Sequence, residues 1–194
     1  MAYNTQQINQ LIQSRRSIFP NQYSGEKVSH EIVEQILENA NYAPNHRRTE
    51  PWRFMVFTGK ALEKLGKVQA ELYKTATPPE KFKEKMYQKL QTKPTLASHV
   101  ITIGMQRNPV VPEIEEIEAV ACAVQNMYLT ATAYGIGAYW GSGGITYYQE
   151  AKELFGLGEK DKLLGFFFLG IPKTTPPPYK RQPITNKVIW ADID

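Results

Sequence analysis

Sulfur and imidazole are scarce in this chain: one cysteine, Cys122, and three histidines stand among 194 residues. A single cysteine closes no disulfide within the chain, and three scattered histidines offer no zinc-ligand spacing. No apolar run approaches the ~20 residues of a membrane span. The start, Met1 to Leu11, has no basic flank leading into an apolar stretch, so no signal peptide is expected. A reducing cytoplasm is the expected location. The GxSxG, HExxH, Walker and CxxC patterns are also missing. Gly135-Ile-Gly137 begins like a dinucleotide fingerprint, but it lacks the third glycine and follows a helical pattern rather than a strand. No nucleophile sits beside a base. An enzyme built on this sequence would leave the chemistry to a bound cofactor, with the protein positioning it and tuning its charge.

What is present is a globular composition, 42% hydrophobic and 22% charged, of a size suited to one domain, 1–194. The net charge is +4. Nine Lys and four Glu fall between Gly59 and Pro94, so the basic excess lies in one segment. Its lysines are spaced and not interleaved with Arg and aromatics, which reads as a solvated face rather than a nucleic-acid surface.

Periodicity predicts helices over Asn4–Arg16, His30–Tyr42, Lys60–Thr75, Glu80–Leu90, Pro112–Tyr134 and Tyr148–Phe155. Strands are expected at Arg53–Thr58, His99–Met105, Ile136–Trp140 and Leu163–Leu169. The helix from Pro112 begins acidic and becomes small and apolar on nearly all sides, which predicts burial all round, in the core or at a subunit interface. Cys122 lies in that run and reads as packing. Gly141 to Gly144 forms a loop where backbone can approach a ligand. The tail carries Pro176-Pro177-Pro178 and then an extended, half-apolar stretch, Ile184–Trp190, that must find a surface on its own sheet edge or on a second subunit.

Four segments, read together, resemble the FMN-dependent nitroreductase family, in its compact branch: Ser14-Arg-Arg-Ser17; Ala43-Pro-Asn-His46 with Glu50-Pro-Trp52; Tyr134 to Ser142; and Phe166 to Pro172 followed by Lys180-Arg181. The resemblance spans nearly the whole chain in order and spacing. It implies an α+β fold with a central mixed or antiparallel sheet flanked by helices. It also implies an intertwined homodimer with one FMN at each end of the interface, the long helix at its centre and the tail reaching across.

The same resemblance implies the site. Arg15, with Arg16 beside it, would pair with the FMN phosphate, Ser17 would bond the ribityl-phosphate region, and Arg181 would be a second phosphate grip. Pro44, Asn45 and His46, with Tyr42, would line a flavin wall contributed by the other chain. Trp140, Gly141 and Ser142 would run past the ring system or ribityl chain. The chain departs from the family in two places, at three residues. Arg48 and Glu50 stand where Asn and Gln often contact the pyrimidine edge, and Arg48 could be a cation favouring the reduced flavin. Phe19 stands where a lysine is often found. The implied function is hydride transfer from NADH or NADPH through FMN to a small-molecule acceptor such as a nitroaromatic, quinone or enone. No side chain is expected to be catalytic, and no metal is expected. Other flavin chemistry on the same fold, dehalogenation or dehydrogenation, is the alternative, as is non-catalytic flavin binding.

Overall fold

The computed structural model describes residues 3–177 and 179–191; Pro178 of the proline spacer lies outside the described residues. Four antiparallel strands form one sheet in the order β1-β2-β4-β3. They are β1 (Trp52–Thr58), β2 (His99–Met105), β3 (Gly137–Gly141) and β4 (Lys162–Gly170). Six α-helices surround them: α1 (Thr5–Ser14), α2 (His30–Ala40), α3 (Lys60–Ala76), α4 (Glu84–Thr92), α5 (Glu113–Ala133) and α6 (Gln149–Leu154). The α+β architecture is the expected one. Beyond the four strands, Ser17 makes an isolated parallel bridge to Ala138 on the free edge of β3.

The central strands have no polar face because both faces are covered. Along β4, Phe167 and Leu169 enter the core beneath α2 and α5, while Phe166 and Phe168 enter the core beneath α3 and α6. That alternation is the two-residue period of a strand, here with apolar side chains in both phases. Every residue of β2 is buried.

Local sequence explains the helix ends. Asn4 caps α1, its Oδ1 accepting from the Gln7 amide at 3.2 Å. Three glutamates crowd the first turn of α5, where the helix dipole favours anions. The helix predicted from Glu80 begins only at Glu84, because Pro79–Lys81 folds as a separate 3₁₀ turn.

Within the single chain the long helix α5 leaves an exposed stripe, Glu118, Ala121, Cys122 and Gln125, which is the face that an expected subunit interface would cover. Cys122 is therefore exposed rather than packed in the chain's own core. The tail stretch Ile184–Trp190 is not extended throughout, since Ile184–Lys187 makes a 3₁₀ turn. Among the described residues no helix is long and apolar enough to cross a membrane.

Candidate functional site

The end of α1 and the tail meet in a cavity of about 760 Å³ lined by Ile12, Gln13, Arg15, Arg16, Gln125, Tyr179 and Arg181. None of its three arginines has a carboxylate partner among the described residues. Arg16 turns one nitrogen back onto the carbonyls of Gln13 (2.6 Å) and Arg15 (2.9 Å), while its buried Nε is left without a partner. Arg15 lies over the ring of Tyr128 at 4.9 Å and Arg181 over that of Tyr179 at 5.0 Å. Ring-stacked guanidiniums keep their N–H edges free for a planar or tetrahedral anion. Three unneutralised cations and a buried donor without an acceptor suit a phosphate dianion.

A second cavity, about 870 Å³, shares Arg16 and Tyr179 with the first and adds Ser17, Phe19, Lys89, Lys93, Leu96 and Tyr139. Phe19 packs on Tyr139 with ring centroids 4.6 Å apart. Lys93 reaches the same aromatic cluster from the turn after α4, its ammonium 4.7 Å from the Tyr139 ring and 4.5 Å from that of Phe168. Burial, aided by repulsion from Lys89, lowers its pKa from 10.5 to about 8. Sequence reasoning missed Lys93, one of nine lysines in the basic segment; only the fold shows that it alone of them turns inward onto aromatic rings beside Ser17.

The Ser17–Phe19 segment is pinned by backbone and by Tyr23. The Ile18 amide donates to the Ala138 carbonyl at 2.9 Å. The Tyr23 hydroxyl donates to the carbonyls of Ile18 (2.9 Å) and Phe168 (3.1 Å). Burial pushes that phenol far above its ordinary pKa, so it remains a neutral donor.

Trp140 is anchored rather than free: its indole Nε1 donates to the Leu164 carbonyl at 3.1 Å. The anchoring explains Gly165, which has φ +129° and where a Cβ would lie 2.9 Å from that Nε1 and 2.5 Å from the Gly141 carbonyl. The indole is thus committed to the sheet. Past it, Gly141 is buried and Ser142 exposed, with backbone leading into the glycine loop.

The remaining candidates lie elsewhere. Ala43 to Glu50 forms a loop in which Arg47, Arg48 and Glu50 all have positive φ (52°, 55° and 44°), an unusual density of left-handed non-glycine backbone. Asn45 holds the loop together, its Oδ1 accepting from the Glu50 amide at 3.0 Å and its Nδ2 donating to the Ala43 carbonyl at 3.3 Å. His46 Nδ1 contacts the Glu115 carboxylate in the first turn of α5. Tyr42, Pro44 and Arg48 are exposed, and Arg48 does not pair with Glu50.

Arg15 touches α5 at Tyr128 and His46 touches it at Glu115. Thirteen residues of helix separate those positions, about 20 Å at 1.5 Å per residue. The single chain therefore holds the two groups of candidate residues at opposite ends of one helix and does not bring them together.

Comparison with known proteins agrees with this architecture. The nitroreductase family model matches residues 12–171. The chain is 32% identical over 192 residues to YfhC of Bacillus subtilis, provisionally named a NAD(P)H nitroreductase, with 94% of this chain and 96% of that one covered. A nitroreductase-like family protein from Bacillus cereus superposes with a TM-score of 0.82 at 25% identity, covering 99% of this chain and 98% of the other. The fold is shared with NfnB of Mycobacterium smegmatis, an FMN-dependent nitroreductase solved with NADPH, at a TM-score of 0.75 and 17% identity, with 97% and 99% covered. The chain belongs to the nitroreductase family.

Proposed function

We propose that this protein is an FMN-dependent NAD(P)H oxidoreductase working as a homodimer in the cytoplasm, with a nitroaromatic, quinone or enone as electron acceptor. The observation that carries the reading is the cluster of Arg15, Arg16 and Arg181 around one cavity, all without carboxylate partners among the described residues, opening onto the aromatic cavity of Ser17, Phe19, Lys93 and Tyr139. The first cavity fits the cofactor's phosphate and the second its polar ring edge. FMN, when bound, supplies the two-electron chemistry, taking hydride from NADH or NADPH and passing it to the acceptor.

The chain's own residues bind and tune. Arg15 and Arg181 hold the phosphate, and Arg16 directs its unpartnered Nε toward the same charge. Ser17 orients the ribityl-phosphate region. Lys93 supplies the cation that Phe19 cannot, and a cation at the pyrimidine edge favours the more anionic, reduced form. Trp140 fixes the strand end so that Gly141 and Ser142 pass the ring system as backbone. His46, with Tyr42, Pro44, Asn45 and Arg48, forms the facing wall from the second chain.

The shared site is supported by the 20 Å gap between the half-sites and by apolar surface left open in one chain. Helix α1 buries none of its residues, with Ile8 and Ile12 exposed. On the tail, Ile189 is 95% and Trp190 84% exposed. Packing the small-residue stripes of two α5 helices about a two-fold axis, in opposite directions, would set each Arg15 end against the other chain's His46 end.

The test is direct. The purified protein should be yellow, and NADH or NADPH should bleach it under nitrogen. Adding nitroaromatic, quinone and enone acceptors should restore the colour at rates that rank them. A colourless protein that takes up no FMN would overturn the reading.

A further inference from the structure

Tyr128 is the one phenol on α5's buried face, among Ala123, Val124, Met127 and Ala131. A polar atom in such surroundings is costly unless it is used. Its ring is held edge-to-face against Phe167, centroids 4.9 Å apart, and its hydroxyl and the other face of its ring turn toward Ser17, Trp140 and Arg15. Arg15 lies over its face. Its Oη accepts from the Trp140 backbone amide at 2.6 Å and lies 3.5 Å from Ser17 Oγ.

One of these directions is fixed by chemistry, and the other is open between two hydroxyls. A backbone N–H can only donate, so Trp140 occupies a lone pair of the Tyr128 oxygen. The Tyr128 proton then points away from that amide, and Ser17 Oγ, which can accept it or donate in its place, is the hydroxyl beside it. Once Ser17 accepts, its own proton is free to point into the cavity. We infer that Tyr128 is a positioning residue whose hydroxyl passes the polarity of the Trp140 amide to Ser17, fixing Ser17 as a donor toward the bound anion, while its ring carries Arg15. This deepens the proposed FMN site and rests on it.

The chain of donors runs Trp140 N–H to Tyr128 O–H to Ser17 O–H to ligand oxygen. Hydrogen bonds in series strengthen one another. A contact of 3.5 Å is long, and a charged acceptor at the end of the series is the influence that would shorten it. Along the free edge of β3 the backbone passes from the Ser17–Ala138 bridge to the phenol.

The experiment measures FMN dissociation constants on the stripped protein. Y128F keeps the ring under Arg15 and removes only the hydroxyl. It should weaken FMN binding about tenfold, the scale of one hydrogen bond to a charged group. S17A should show a similar loss, and Y128F/S17A should be no weaker than S17A alone, because both act through one bond. A merely structural Tyr128 would lower Tm without this coupling. Multiplying losses, or a Y128F affinity equal to wild type, would overturn the inference while leaving the FMN site standing. Wild type that binds no FMN would overturn both. Should Y128F fail to fold, 3-fluorotyrosine placed site-specifically at 128 gives a stronger donor of nearly the same shape. FMN should then bind more tightly, and unchanged or weaker binding would overturn the inference.

Discussion

The two ends of α5 present opposite kinds of half-site. At the Arg15 end the backbone is ordinary and the charges are unsatisfied among the described residues: three arginines without carboxylates and a lysine whose ammonium is desolvated. At the His46 end the imidazole already meets Glu115 and the arginines are exposed to solvent, while the backbone is strained at Arg47, Arg48 and Glu50. One end holds its free energy in unpaired electrostatics, which a ligand can release. The other holds it in conformation, which gives a wall of fixed shape. A grip and a wall are complementary parts, and neither end has both.

The sharpest way to break the comparison is to damage each end in a different chain. Arg15→Glu and His46→Glu homodimers should each fail to bind FMN. Refolded together in equal amounts, about half the dimers are mixed, and each mixed dimer has one intact site, so about a quarter of sites should recover. If a tagged pull-down shows that the chains exchange and no FMN binding returns, the two ends serve the same chain's site.

Within the grip, Arg15→Ala or Arg181→Ala should weaken FMN binding by about 1.5–3 kcal/mol. Riboflavin, lacking the phosphate, should bind wild type and variant alike. Equal losses for both ligands would remove the phosphate from this end.

Lys93 tests the same unsatisfied charge through stability. Its folded pKa, about 8, lies below its ordinary 10.5. Between those values the unfolded chain binds more protons than the folded one, so stability should gain as pH rises from 8 to 10.5. The gain should be absent in Lys93→Met, as read by urea midpoints across that window. FMN should diminish it in wild type, because an anion beside Lys93 raises the folded pKa.

The smallest effect belongs to the wall. Arg48 is exposed, makes no side-chain hydrogen bond among the described residues and sits at φ 55°. Arg48→Gly should stabilise the apo protein by about 0.5–1 kcal/mol through relief of left-handed strain. A loss of stability would mean that this end stores nothing in its backbone.

Much of the fold was legible in the residues. The second strand was expected at His99–Met105 and lies there, because Val, Ile and Thr in a run between turn residues leave little choice. Asn4 announced the start of α1. Where the last face of α5 goes was not legible, since a helix apolar on nearly every side looks the same whether that face meets its own core or a second chain. The candidate site was named from a family pattern at Arg15, Ser17, His46 and Arg181, and the fold places Arg15, Ser17 and Arg181 around two adjoining cavities. The site was not legible in its chain-specific parts. Lys93 resembles eight neighbouring lysines until the turn after α4 aims it at Tyr139 and Phe168. Tyr128 is one aromatic in a helix of core residues, and its use depends on a strand edge twelve residues away that pairs beside it only in three dimensions.

The thirteen-residue interval from Glu115 to Tyr128 has a consequence for how this chain can vary. If α5 spaces the two ends, its length is a ruler shared by both subunits, and the constraint falls on residue count rather than residue identity. Conservative replacements along the exposed stripe change contacts locally. Four residues inserted between those positions would keep the helical phase, and each chain could still fold, yet both sites would open by about 6 Å at once. Length changes should therefore be confined to loops such as the one between α3 and α4, where no second subunit depends on the count.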